Sequence, residues 1–163
     1  MNTTHPSGVA ANLNDMPSTF LSLHYHLVFG TKDRTPLIAS EWRDRLHDYL
    51  GGTLRSLDAF PETIGGVADH VHLLVGLKAT HCLADVLREL KKASSIWIHE
   101  QMGFRPFAWQ EGYAAFTVSA TARDAVGKYI VNQDEHHRVK SFREELVEML
   151  EKAGVAYDPK YLD

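Results

Sequence analysis

The side chains of this sequence best placed for chemistry are two His-x-His pairs and one tyrosine-bearing segment. His70-Val71-His72 lies in the apolar run from Asp69 to Val75. If that run is a strand, its side chains alternate with period two, so both imidazoles share one face while Val71 and Leu73 take the other. Two neighbouring imidazoles make half of a divalent-metal site. The same pair could equally be half-buried histidines bonded to backbone. A second pair, His24 and His26, sits in the aromatic and β-branched run Phe20 to Phe29 and competes with the first. Such histidines can simply face a neighbouring strand or helix. Downstream, Tyr129 and Gln133 are four residues apart, one turn above each other on a helix, and His136 and His137 follow a turn later. A helical tyrosine is ordinarily a packed ring with a wet hydroxyl, and a lone glutamine an ordinary surface amide.

The bulk numbers fit these features into one soluble globular unit. The 163 residues are 44% apolar and 23% charged, enough to bury a sizeable core. The single cysteine, Cys82, excludes an internal disulfide framework and suits a reducing cytoplasm; it reads as a small apolar residue. No apolar run approaches the ~18 residues needed to span a bilayer, and the first residues lack the apolar centre of a secretory signal. A formal charge of −4 argues against a protein that coats nucleic acid non-specifically, though not against a local basic patch.

The elements that must position these residues follow from periodicity. Residues 1–19 are polar and small, with Pro6, Gly8 and Pro17, and are expected to be a disordered tail ahead of one domain over 20–163. A strand begins at Phe20. Lys32 to Pro36 is a charged loop. Ser40 is placed to cap a helix to about Leu57, with Trp42, Leu46 and Leu54 inward. Phe60 to Ala68 reads as a weaker strand, and its Gly65-Gly66 pair marks a bulge or a close backbone approach. Asp69 turns the chain into the His70 strand, giving a hairpin. Thr80 is the expected cap of a helix with Leu83, Val86, Leu87, Leu90, Ala93 and Trp97 as its apolar stripe. On another face of that helix, Arg88, Lys91, Lys92 and Ser95 read as a solvated face or a phosphate-contacting ridge. Trp109 and Tyr113, core residues or stacking platforms, precede a fourth strand over about Tyr113 to Val118. Thr121 with Asp124, and Ser141 with Glu144, resemble capping boxes opening two further helices. Ala122, Val126 and Ile130 line the first; Phe142, Leu146, Met149 or Leu150, and Ala153 line the second, which Gly154 ends. The order β-α-β-β-α-β followed by two helices is an α+β, ferredoxin-like arrangement with an antiparallel four-stranded sheet, in which the first and third strands are central.

With the elements in order, the motifs resemble a family. His70-Val71-His72 is similar to the His-hydrophobic-His motif of HUH endonucleases. The segment Val126-Gly-Lys-Tyr129-Ile-Val-Asn-Gln133-Asp-Glu-His136-His137 resembles the tyrosine helix of the single-tyrosine transposases of IS-two-hundred-like insertion sequences and of their relatives associated with repetitive extragenic palindromes. The resemblance extends to Tyr25-His26-Leu27-Val28-Phe29 and Trp109-Gln110-Glu111-Gly112-Tyr113, and covers about Phe20 to Phe142. It implies that His70, His72 and Gln133 hold a divalent cation, Mg²⁺ or Mn²⁺. It implies that Tyr129 attacks a phosphodiester of single-stranded DNA, leaving a 5′-phosphotyrosine and a free 3′-hydroxyl for later rejoining. It also implies a homodimer, acting in the cytoplasm on the nucleoid, with hairpin-bearing single-stranded DNA as partner and no membrane. In such dimers the tyrosine helix of one subunit can complete the histidine site of the other.

General chemistry fits those roles. A phenol with pKa ~10 is a poor nucleophile at neutral pH without help from a neighbour or a metal. A cation on a non-bridging oxygen neutralises charge and orients phosphorus for in-line attack. Exchanging one phosphate ester for another needs no ATP, and Gly65-Gly66 does not open a helix, so it is no Walker-type loop and no nucleotide cofactor is expected. DNA contacts would fall to Arg88, Lys91, Lys92, Lys128 and Arg138, with Arg123 and Lys140 as further candidates. His136 and His137 read as DNA contacts, proton carriers or helix-end caps, outside the core site. Two readings compete: a host-adopted protein that binds palindromic DNA or RNA hairpins without transposing, and a ferredoxin-like metal-binding domain with no nucleic-acid role.

Overall fold

The computed structural model describes residues 18–162. The tail expected over residues 1–19 therefore falls almost wholly outside the described residues. Among the described residues, four strands form one antiparallel sheet in the order β2-β3-β1-β4: β1 His24–Gly30, β2 Phe60–Gly66, β3 His70–Gly76 and β4 Ala114–Val118. Helices α1 (Arg43–Ser56) and α2 (Leu83–Gln101) complete the βαββαβ order. Helices α3 (Arg123–Val131), α4 (Gln133–His136) and α5 (Phe142–Lys152) follow. This is the α+β, ferredoxin-like arrangement expected from the periodicity, and β1 and β3 are its central strands.

Strand alternation divides the apolar residues between two layers. Leu27 and Phe29 of β1, and Val71, Leu73 and Val75 of β3, face α1 and α2 in the main core with Leu46, Leu50, Leu54, Leu87 and Leu90. Trp109 belongs to this core; its indole N–H donates to Ser94 Oγ at 2.9 Å, so it is no stacking platform, whereas Tyr113 is exposed. The opposite face of the same two strands carries His26, Val28, His70, His72 and Leu74. Val28 packs there against Phe142, Leu146 and Leu150 of α5, and Leu74 against Ile130 of α3. Among the described residues, the histidine face is therefore roofed by the C-terminal helices.

Several boundaries differ from expectation. The first strand starts at His24 rather than Phe20, because residues 20–21 have no sheet or core partner and stand exposed. Ser40 and Thr80 do not cap: α1 and α2 start later, behind Trp42 and Cys82, and Cys82 is exposed rather than packed. Thr121 forms no capping box either. A 3-10 turn over Ala120–Ala122 leads into α3, with Ala122 N–H donating to Ser119 O at 3.0 Å, so a backbone carbonyl does the capping. Ser141 and Glu144 do form a full capping box on α5. The bulge in β2 lies between Pro61 and Thr63, where proline has no N–H to give the ladder. Gly65 marks a close approach instead: a β-carbon there would fall inside the contact radius of Ile130's carbonyl oxygen. That glycine lets the end of α3 rest directly on the sheet.

Candidate active site

Four elements aim side chains at one point. His70 and His72 come from β3, with 0% exposure each. Tyr129 comes from the last turn of α3. The helix then breaks at Asn132 (φ −94°, ψ 25°), and Gln133, buried to 1% exposure, opens α4. The expected single tyrosine helix is thus two pieces, and the break lies between Tyr129 and Gln133. The fourth element, α5, contributes Glu145 (2% exposed), which sequence reasoning missed.

Glu145 is the hub. Its Oε1 lies 2.9 Å from His72 Nε2, 3.3 Å from His70 Nε2 and 3.3 Å from His137 Nε2. Its Oε2 accepts from the Tyr129 hydroxyl in a short hydrogen bond and from Gln133 Nε2 at 3.2 Å. Gln133 Oε1 in turn sits 3.0 Å from both His70 Nε2 and His137 Nε2. The ligand atoms of His70, His72 and Glu145 lie within 4.8 Å of one another, a spacing that can hold a metal ion.

Around this centre each imidazole is fixed from behind. His70 Nδ1 is 2.6 Å from Asp69 Oδ1, and His72 Nδ1 is 2.7 Å from His26 Nε2. Asp69 is itself held where its carbonyl accepts from Thr31 N–H at 2.8 Å. Partners of this kind set the tautomer and aim of a metal-binding histidine. The rival pair thereby divides: His26 supports His72, while His24 turns to Glu62 at 3.4 Å. Phe142 stacks flat on His70 (centroids 4.1 Å apart, 6° between planes), and His136 stacks on Tyr129 at 4.4 Å.

The proton count shows what the cluster lacks. The Asp69 carboxylate accepts a hydrogen bond from His70 Nδ1–H, so a neutral His70 points a bare lone pair at Gln133 Oε1 and Glu145 Oε1. Both are acceptors. Lone pairs meeting at about 3 Å repel unless a proton or a cation lies between them. Burial opposes charge on His70, but its bonds to Asp69 and Glu145 outweigh that and its pKa is raised. Burial would raise Glu145, yet hydrogen bonds from His137, His70 and His72 hold it well below the usual carboxylate range. His72 is pushed down by burial, and His26 is lowered to about 3 by burial and by His72. Tyr129 is raised by burial and by the Glu145 carboxylate. A site with two carboxylates, convergent imidazole nitrogens and an amide oxygen is chemically suited to a divalent cation.

The basic residues distribute unevenly. Arg88, Lys91 and Lys92 lie on α2, in the layer across the sheet from the site. Arg88 pairs with Asp85 at 2.9 Å. The Lys91 ammonium is tied to the carbonyls of Gln110 (2.9 Å) and Gly112, and burial lowers its pKa to about 8, so it braces a loop. Lys92 is exposed. Lys128 and Arg138 are exposed on the same side of the sheet as the site, Arg138 beside Glu135 at 3.6 Å. Arg123 is committed to Glu62, and Lys140 to Glu148 at 2.6 Å.

Comparison with known proteins matches residues 19–133 to a family described as IS200-like transposases. The ISDra2 transposase TnpA of Deinococcus radiodurans is 29% identical over 117 residues, 68% of this chain and 84% of that protein. A crystal structure assigned as a transposase from the same organism aligns with TM-score 0.56 and 27% identity, over 73% of this chain and 97% of its own. The structure of a REP-associated tyrosine transposase bound to a REP hairpin aligns with TM-score 0.55 over 88% of this chain and 93% of its own; at 14% identity it supports the fold alone.

Proposed function

We propose that this chain, which belongs to the IS200-like transposase family, cuts and rejoins single-stranded DNA at hairpin-bearing element ends. Tyr129 is the nucleophile, and His70, His72 and Gln133, with Glu145, hold a divalent cation. The observation that carries this reading is that one carboxylate, Glu145, touches the tyrosine hydroxyl with one oxygen and the histidine nitrogens with the other.

The residues divide the work as follows. Glu145 Oε2 accepts the Tyr129 proton as the phenolic oxygen bonds to phosphorus. The bond from phosphorus to the 3′-oxygen breaks, and that oxygen leaves as a 3′-hydroxyl once it takes up a proton. The 5′-phosphate stays on Tyr129 as a phosphotyrosine. Attack by a 3′-hydroxyl on that ester reverses the step and joins strands. When bound, the cation supplies charge neutralisation at the non-bridging phosphate oxygens. His26, Asp69 and Phe142 keep the imidazoles aimed. Glu145 joins Tyr129 to the histidines of its own chain, a contact that favours assembly of the site within each subunit of a homodimer acting on nucleoid DNA.

The test is a single-stranded element end labelled at its 3′ terminus, incubated with protein and Mn²⁺ or Mg²⁺ and run on a denaturing gel. The native chain is expected to carry the label as a covalent adduct, and Tyr129→Phe to form none while still binding the hairpin. An adduct that persists in Tyr129→Phe removes Tyr129 from the role. Undiminished cleavage in excess chelator removes the cation.

A further inference from the structure

His137 takes no part in the reaction just described, yet it is built like the two histidines that do. It lies just beyond α4, with its side chain 12% exposed. Its Nδ1 is 2.7 Å from the Lys140 carbonyl oxygen, which can only accept, so that nitrogen carries the proton. The neutral ring then directs the lone pair of Nε2 inward, 3.3 Å from Glu145 Oε1 and 3.0 Å from Gln133 Oε1. Both of those atoms are acceptors, as they are for His70. The His137 ring also meets the His70 ring edge-on, with centroids 4.5 Å apart. Three imidazoles, His70, His72 and His137, thus converge on the same carboxylate oxygen. For His70 and His137, a partner fixes the far nitrogen as the proton carrier.

We propose that His137 is a third imidazole ligand of the cation site. With Glu145 it makes a three-histidine, one-carboxylate set that selects a first-row transition ion such as Mn²⁺, Co²⁺ or Zn²⁺ over Mg²⁺. This rests on the cation reading above and extends it. Mg²⁺ is hard, favours oxygen donors and gives up water reluctantly. Imidazole nitrogen instead favours the later divalent ions. Gln133 Oε1, in contact with both His70 and His137, remains as a further donor.

Calorimetric titration of the full chain with Co²⁺, Mn²⁺ and Mg²⁺ tests this without reference to activity. Proton spectra of the Co²⁺ form add a count of exchangeable, paramagnetically shifted imidazole N–H signals. The native chain is expected to bind Co²⁺ and Mn²⁺ far more tightly than Mg²⁺ and to give three such signals. His137→Ala and His137→Gln, shown to be folded by circular dichroism, should lose more than about 10-fold in Co²⁺ affinity, and the three signals should become two. If His70→Ala abolishes Co²⁺ binding while the His137 variants bind as the native chain does, His137 is not a ligand and the cation reading stands alone. If neither His70→Ala nor the His137 variants change binding, the cation reading itself falls, and this inference with it.

Discussion

A charged residue inside an apolar helical stripe is the mark that Glu145 leaves in the sequence. Positions 142, 145, 146, 149 and 150 follow the i, i+3, i+4, i+7, i+8 pattern, and all are apolar except Glu145. Carboxylates are seldom fully buried without a partner, so that one departure points to a polar centre under the helix. His70 and His72 were legible because period-two spacing puts both on one face whatever the sheet does. His137 was not, since its tautomer depends on the Lys140 carbonyl, which only the folded turn supplies. A half-buried histidine, His47 on α1, gives a prediction away from the site. Its Nε2 is buried with no hydrogen-bond partner among the described residues, and burial lowers its pKa from the ordinary value of 6.5. The folded state therefore binds this proton less readily than the unfolded state. The stability it contributes is whole above pH 6.5 and is lost as pH falls below that toward the folded value. His47→Gln removes the titration. The drop in urea midpoint between pH 7.5 and pH 5 should be smaller in the variant than in the native chain; equal drops would show that His47 adds nothing to acid sensitivity.

At the scale of elements, the order of strands and helices was readable because each carries a clean period, whereas their ends were set by contacts the sequence does not display. Ser40, Thr80 and Thr121 have the chemistry of caps but lie upstream of where the backbone becomes helical. Ser141 caps because Glu144 reaches back to close the box. The break at Asn132 was likewise hidden, since its neighbours Ile130 and Gln133 must both be buried on different elements. The seat of α3 depends on Gly65. Gly65→Ala drives a methyl into the Ile130 carbonyl, one residue from Tyr129, and backbone cannot move aside cheaply. A loss of about 1–3 kcal/mol in urea unfolding is expected, together with weaker adduct formation. Gly52→Ala is the matched contrast. Gly52 lies within α1 with nothing within 4 Å of an added β-carbon, so alanine should stabilise by about 0.4–1 kcal/mol and leave the adduct unchanged. If both variants behaved alike in unfolding, the close approach at Gly65 would not be what holds α3 in place.

The molecule as a whole is a sheet with two unlike faces, and that asymmetry bears on how an acidic chain engages DNA. With a net charge of −4, long-range attraction to phosphate is weak, so contacts must come from cations placed close to the strand being cut. Lys128 and Arg138 lie on the side of the sheet that holds Tyr129, whereas Arg88 and Lys92 stand across the sheet from it, and Lys91 is engaged with loop carbonyls. A short unpaired oligonucleotide spanning the scissile phosphate should therefore depend on the first pair alone. Each single-strand phosphate contact contributes about 0.7 to the slope of log affinity against log salt. Lys128→Glu with Arg138→Glu is thus expected to weaken binding and to flatten that slope by about 1.4, reading two contacts at the same rate. Arg88→Glu with Lys92→Glu should leave the slope for the short oligonucleotide unchanged. Should the second pair affect only a hairpin-bearing substrate, the duplex stem reaches round to the α2 layer while the unpaired strand stays on the histidine face. Equal flattening by both pairs on the short oligonucleotide would mean that the strand itself crosses the sheet edge, and the division of labour between the two faces would be wrong.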